Sequence, residues 1–274
     1  MSGNQFAFVM SASICDISIT SLCIAFLFTA LYLKNMITIS NLTKRYGKIT
    51  AVDNLNLSIQ DNQVFALLGV NGAGKTTTIK MLTGLIAKDC GTITYDNLSI
   101  DAHLDQIQNI INISPQETAI AENLTVLENI TFIAQIYGMS KSFAQTKAMH
   151  LLEQFDLVKV ANKLANTLSG GTKRRLSIAM ALVTNPRVLF LDEPTLGVDV
   201  LARNQLWKLI EKLKSQMTIV LTTHYMEEAE HLADTIAVMN NGKVVAVGTT
   251  KQLLTQTETS SLEHAFIKIV EGNV

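Results

Sequence analysis

Residues 69–77 read Gly-Val-Asn-Gly-Ala-Gly-Lys-Thr-Thr. From Gly69 to Thr76 the spacing is G-x-x-x-x-G-K-[ST], a phosphate-binding loop pattern whose residue types explain its chemistry. Gly69, Gly72 and Gly74 let the backbone turn tightly and approach a ligand closely. The amides of Val70, Asn71, Ala73 and their glycine neighbours, running on to Thr77, then form a concave anion nest at a helix N-terminus. Lys75 is placed to reach the outer phosphates, and the Thr76 hydroxyl to hold Mg²⁺. Asp192 and Glu193 follow the apolar run Val188–Leu191. Asp192 is a candidate for the metal's shell and Glu193 for orienting or deprotonating a water. The alternative is an Asp-Glu pair capping the next turn. His224 follows a second apolar run in the same way, although a lone histidine is ordinarily structural. Gln116, after Ser114-Pro115, could touch the metal and sense a terminal phosphate, or be a plain loop glutamine.

Elements that would carry these groups are legible from periodicity. Val64–Leu68 reads as a buried strand, and Ile79, Leu82 and Leu85 fall at helical spacing, giving strand, loop and helix around the glycines. Val188–Leu191 and Thr218–Thr223 are continuous apolar runs of the kind buried on both faces of a parallel sheet. In such sheets ligands bind beyond the carboxyl ends of the strands, where Asp192, Glu193 and His224 stand. Residues 36–60 alternate apolar and polar, as antiparallel strands with one solvated face do. Glu122 to about Ala165 turns helical, broken at Tyr137-Gly-Met-Ser140. Asn240-Asn-Gly242 lies between two short apolar runs and predicts a hairpin. Ser169 is a natural N-cap for a helix through Leu182. Lys173, Arg174 and Arg175 in its first turn stand at the unfavourable end of the helix dipole. Either solvent or a nearby anion would offset that, and the amides of Gly170 and Gly171 favour a phosphate.

Composition narrows the function classes. The formal net charge of −1 over 274 residues leaves no footprint for nucleic acid. Cys15, Cys23 and Cys90 lack metal spacing, and an odd count argues against a disulfide framework. Residues 1–35 form a hydrophobic extension. Its uncharged stretch Ile17–Leu33 is at the short edge of a membrane span. Three readings stand: translation starting at Met36, a membrane anchor, or a disordered or partner-bound tail.

Together these residues resemble the ATP-binding cassette (ABC) transporter ATPases from about Met36 to Val274. Six motifs fall in order: the phosphate loop Gly69–Thr76, Gln116, the signature Leu168–Thr172, Asp192-Glu193, the segment Leu196-Gly-Val-Asp199, and His224. The resemblance implies an α/β P-loop NTPase fold: a RecA-like core, an antiparallel β-subdomain, and an inserted helical subdomain at about 117–185. It implies ATP and Mg²⁺ as ligands, with Thr76, Gln116 and Asp192 near the metal. Glu193 would be the general base, His224 the group that stabilises the γ-phosphate, and Tyr46 the aromatic that stacks on adenine. Members act as head-to-tail homodimers, or as heterodimers with a second cassette. Ser169, Gly170, Gly171 and Asp199 of one subunit then close over the nucleotide of the other. Two departures are Thr172, where glutamine is commonest, and Val200, where proline is frequent.

Thr195–Arg203, Met226–Glu230 and Leu262–Phe266 look like the drug- and polysaccharide-exporter (ABC-2) type. That implies a separate membrane permease and a peripheral position on the cytoplasmic face of the membrane. A soluble ABC ATPase acting on ribosomes or DNA is the alternative. One cassette, near-zero charge and no room for a long arm between Thr77 and Ser169 count against it. A non-catalytic ATP binder is the third reading, opposed by the intact Glu193.

Overall fold

A computed structural model describes residues 35–272, and the three readings of the N-terminal extension fall outside them. Ten strands and nine α-helices are found among the described residues. Strands β1 (Asn35–Tyr46), β2 (Ile49–Gln60), β4 (Cys90–Tyr95) and β5 (Leu98–Ser99) form an antiparallel sheet in the order β2-β1-β4-β5. The second sheet has the order β10-β9-β3-β8-β7-β6. Its members are β3 (Val64–Leu68), β6 (Ile111–Ser114), β7 (Val188–Asp192), β8 (Thr218–Thr223), β9 (Thr235–Asn240) and β10 (Lys243–Gly248). All neighbours are parallel except β9 and β10, which form the hairpin predicted at Asn240–Gly242.

The continuous apolar runs are explained by two cores, one on each face of the parallel sheet. Val64, Ala66, Leu68, Leu189, Leu191, Ile219 and Leu221 face one cluster. Phe65, Leu67, Val188, Phe190 and Val220 face the other, together with Ile37, Leu42 and Tyr95 of the antiparallel sheet. The period-2 alternation of a strand thus sends every residue into apolar surroundings. Burial at roughly 25 cal/mol per Å² makes these strands the most costly place to introduce a polar group.

Helices α1 (Lys75–Leu82) and α2 (Leu104–Gln108) precede β6. Between β6 and β7 come α3 (Val126–Ile136), α4 (Lys141–Gln154) and α5 (Gly170–Ala181). Thr125 and Glu128 form a reciprocal capping box that starts α3. Ser140 caps α4, which begins just past the turn read at Tyr137–Ser140. Helices α6 (Val200–Lys214) and α7 (Met226–Leu232) flank β8, and α8 (Thr250–Thr257) and α9 (Leu262–Glu271) close the chain. No helix among the described residues is long and apolar enough to cross a membrane.

Candidate nucleotide site

The strand order sets the site. β3, β8 and β7 are adjacent and parallel, so the loop after β3, His224 after β8, and Glu193 after β7 emerge side by side at one sheet edge. Gln116 follows β6, the next strand over. A cleft of about 310 Å³ opens there. Asn71, Gly72, Ala73, Gly74, Lys75, Thr76 and Thr77 line it on one side, and Gln116, Glu193 and His224 on the other.

The loop's shape depends on its glycines at two places. Gly74 caps α1 with φ +103, and a Cβ there would stand 2.4 Å from Ala51 O. A Cβ on Gly69 would stand 2.5 Å from Met239 O. The β1–β2 and β9–β10 hairpins thus press directly on the loop. Gly242 N donates to Ala73 O at 3.0 Å and fixes that contact.

Lys75 curls back within the loop. Its Nζ donates to Gly69 O at 2.7 Å and Val70 O at 3.2 Å, and lies 3.2 Å from Glu193 Oε1. The other Glu193 oxygen, Oε2, is 2.6 Å from His224 Nδ1. A carboxylate only accepts, so Nδ1 carries the proton and Nε2 is left for a ligand. Glu193 has φ +49, a left-handed conformation that costs a non-glycine residue about 1–3 kcal/mol and clusters at functional sites. Its amide donates to Thr222 Oγ1 at 3.0 Å, which holds it there.

Asp192 does not cap the following turn. Its Oδ1 accepts from Thr222 Oγ1 at 2.6 Å and from Thr76 Oγ1 at 3.1 Å, joining the loop to β7 and β8. Thr222 is a site residue that sequence reasoning missed. Its signal is the Thr222-Thr223 pair that ends an otherwise largely apolar strand.

Arg174 is the second such residue. Of the three cations in the first turn of α5, Arg174 and Lys173 find partners within the chain. Arg174 is buried, and its guanidinium donates to Pro115 O at 2.6 Å, Gln116 O at 3.3 Å, Asp192 O at 3.4 Å and Glu193 O at 2.6 Å. Burial pulls its pKa below the ordinary guanidinium value, against the attraction of Asp192, Glu228 and Glu193. Lys173 pairs with Glu122 at 3.0 Å. For these two the unfavourable dipole position is thus offset within the chain, and Arg174 ties the Gln116 loop to the Asp192-Glu193 backbone.

The residues expected to act on a partner's nucleotide do not line this cleft, and neither does Tyr46. Ser169 caps α5, accepting from Thr172 N at 3.4 Å, with Thr172 Oγ1 2.9 Å from its own Oγ. Ser169 and Gly170 are exposed, while Gly171 packs against Ala202 of α6. Asp199 caps α6 through Leu201 N and Ala202 N, both at 3.0 Å. Val200 occupies the first position of α6, where proline is also well suited. Tyr46 is half exposed near the β1–β2 turn, with Lys44 Nζ 5.5 Å from its ring centre.

A parallel sheet with a glycine-rich phosphate loop, an acidic pair and a histidine at one edge defines a P-loop nucleoside-triphosphatase. The family model described as ABC transporter matches residues 52–196. The linearmycin resistance ATP-binding protein LnrL of Bacillus subtilis is 37% identical over 246 residues, 86% of this chain and 79% of LnrL. The daunorubicin/doxorubicin resistance ATP-binding protein DrrA of Streptomyces peucetius is 40% identical over 215 residues, 78% of this chain and 65% of DrrA. The solved ATP-binding subunit of an ABC transporter superposes with a TM-score of 0.75 at 26% identity, covering 85% of this chain and 99% of that one. The dimeric ATP-binding cassette MJ0796, bound to ADP and Pi, gives 0.71 at 28% identity, over 78% and 98% of the two chains. The chain belongs to the ABC transporter family of ATP-binding proteins, and it is an ATPase of the type found in drug-resistance exporters.

Proposed function

We propose that this chain energises a separate integral membrane permease, most simply for export, by dimerising head-to-tail around two ATP molecules. The observation that carries the reading is the chain of contacts from Lys75 through Glu193 to His224 in the cleft. Glu193 is the general base that takes a proton from the attacking water, and His224 turns Nε2 toward the γ-phosphate. Lys75 meets the outer phosphates, the loop amides cradle them, and Gln116 faces the metal and the terminal phosphate. Tyr46 is the group left to stack on adenine, at the end of the hairpin whose Ala51 lines the cleft.

Thr76 and Asp192 offer a hydroxyl and a carboxylate beside the phosphate nest, a hard-oxygen donor set suited to Mg²⁺. When bound, Mg²⁺ neutralises charge on the phosphate oxygens.

The signature residues Ser169, Gly170 and Gly171, with Asp199, lie outside this chain's cleft and are free to close over a partner's. Exposed apolar residues next to the loop and Asp199 (Val70, Leu196, Val200 and Leu201) support such an interface. Residues 36–274 act as the ATPase domain, with 117–185 as its signature-bearing helical part. A second cleft, about 440 Å³, runs between β6, Leu85 and Tyr137, both exposed. It is suited to a short segment of the permease, which would hold the chain peripherally at the cytoplasmic membrane face.

Turnover measured against protein concentration, with and without Glu193→Gln, tests this. The expected result is a steep rise for the wild type, and for the variant ATP binding with dimer accumulation and no turnover. Undiminished turnover in Glu193→Gln overturns the assignment of the base. A rate per molecule independent of concentration, for a protein that stays monomeric with ATP, overturns the composite site.

A further inference from the structure

Behind the cleft, the segments carrying Glu193 and His224 meet at a side chain that the hydrolytic chemistry does not use. Glu228, in the first turn of α7, is fully buried. Its Oε1 accepts from the Trp207 indole Nε1 at 3.3 Å, and Trp207 belongs to α6, the helix that Asp199 caps. The hydroxyls of Thr223, just before His224, and of Thr195, two residues past Glu193, lie against the same carboxyl. Thr223 Oγ1 already accepts from Tyr225 N at 3.0 Å, which leaves its own proton to donate. Glu228 Oε2 and Thr195 Oγ1 are both buried, and neither completes a well-formed hydrogen bond.

A hydroxyl donates and a carboxyl oxygen accepts, so Thr195 Oγ1 and Glu228 Oε2 are each other's natural partners, beside Trp207 and Thr223 on the same carboxyl. Burial pushes the Glu228 carboxyl above its ordinary range, and Glu193 adds in the same direction. The hydroxyls of Thr223 and Thr195 and the Trp207 indole oppose this, and Arg174 attracts the ionised form. Beyond Trp207, Arg203 lies over its ring at 5.4 Å and His231 is stacked at 4.7 Å.

We propose that Glu228 is a positioning residue that clamps the His224 loop to the Glu193–Asp199 segment and to α6. One side chain then keeps His224 and Glu193 in register and couples both to movement at Asp199. The proposal rests on the reading of Glu193 and His224 given above, and goes beyond it in naming what aligns them.

The test compares kcat, KM and ATP affinity for the full chain carrying Glu228→Gln, Glu228→Ala, Trp207→Phe or Glu193→Gln. Glu228→Gln keeps the side chain's shape and one acceptor oxygen for the Trp207 indole, and is expected to keep kcat within about threefold. Glu228→Ala is expected to lose about 10- to 100-fold in kcat, the scale of an ångström-level misplacement, with ATP affinity nearly unchanged. Trp207→Phe removes one hydrogen bond and is expected to lose about three- to tenfold in kcat. A glutamine variant as slow as a folded alanine variant overturns the acceptor to Trp207 as what makes the clamp. Wild-type kcat in Glu228→Ala overturns the clamp. If Glu228→Ala does not fold, wild-type kcat in a folded Trp207→Phe overturns the link to α6, and a kcat loss above tenfold in a folded Glu228→Gln overturns the acceptor to Trp207 as what makes the clamp. Retained turnover in Glu193→Gln instead removes the underlying site reading, so the two failures are told apart.

Discussion

Lys75 Nζ lies 3.2 Å from Glu193 Oε1, and both side chains are buried. The cation meant for phosphates and the carboxylate meant for water are thus each other's partners. Phosphate oxygens must draw Lys75 away, which leaves Glu193 to His224 and to the water it activates. Lys75→Ala is expected to lose ATP binding and also to destabilise the fold. Breaking a buried pair costs up to about 3–5 kcal/mol, and the surviving His224 contact points to the lower end. Adding Glu193→Gln is expected to recover stability but not binding. Chemical denaturation of the four proteins in this cycle checks it, and simple additivity of the two effects would contradict the pairing.

Arg174→Lys keeps the charge but not the fork that reaches four carbonyls. A loss of about 2–4 kcal/mol in stability is expected, since several buried acceptors lose their donor at once. The turnover rate is expected to fall more than ATP affinity, because Arg174 holds the Gln116 and Glu193 backbones rather than touching the loop. Equal stability of Arg174→Lys and wild type in urea would show that charge alone suffices.

Much of this was legible beforehand, and the reasons are physical. Val64–Leu68 and Val188–Leu191 are uniformly apolar because both sheet faces are buried, so they advertise themselves. Glycine and lysine at fixed spacing announce the phosphate loop. Thr222 and Arg174 stayed hidden because their roles are contacts across elements far apart in sequence. Arg174 did leave a trace, a cation at the wrong end of a helix, but the trace showed that compensation was needed and not its source. Ser169 could be read as a cap, but the cap at Asp199 was not read. That both stand apart from this chain's own cleft followed only from the family resemblance, because it depends on how α5 and α6 are set against the sheet.

Gly171 is needed because α5 and α6 meet there: a Cβ on it would stand 2.6 Å from Ala202 Cβ and 3.5 Å from Val198 Cγ1. Gly171→Ala is expected to destabilise by about 1–3 kcal/mol through overpacking. Ala202→Gly alone costs about 1 kcal/mol as a helical glycine. Together they are expected to cost less than their sum, because the second change makes room for the first. Thermal melts of the three variants decide it. A double variant at or beyond the sum would mean that the damage at Gly171 comes from something other than Ala202.

Glu228 makes a separate demand on the pH dependence of stability. Burial raises its pKa in the folded chain above the value of 4.5 that an exposed glutamate has. Between those two values the folded state holds a proton that the unfolded chain has released, so stability falls as pH rises. The contribution is complete below about 4.5, is lost as pH climbs through the raised value, and is constant beyond it. Glu228→Gln cannot release a proton and lacks this slope. The difference in unfolding free energy, wild type minus Glu228→Gln, is therefore expected to decline with pH across that window and then level off, as other carboxylates cancel in the comparison. Urea titrations of both proteins from pH 4.5 to 9 measure it. A flat difference would mean that Glu228 is ionised in the folded protein throughout, with Arg174 and the two threonine hydroxyls sufficient to hold the charge. A rising difference would mean that these partners lower its pKa rather than merely opposing burial.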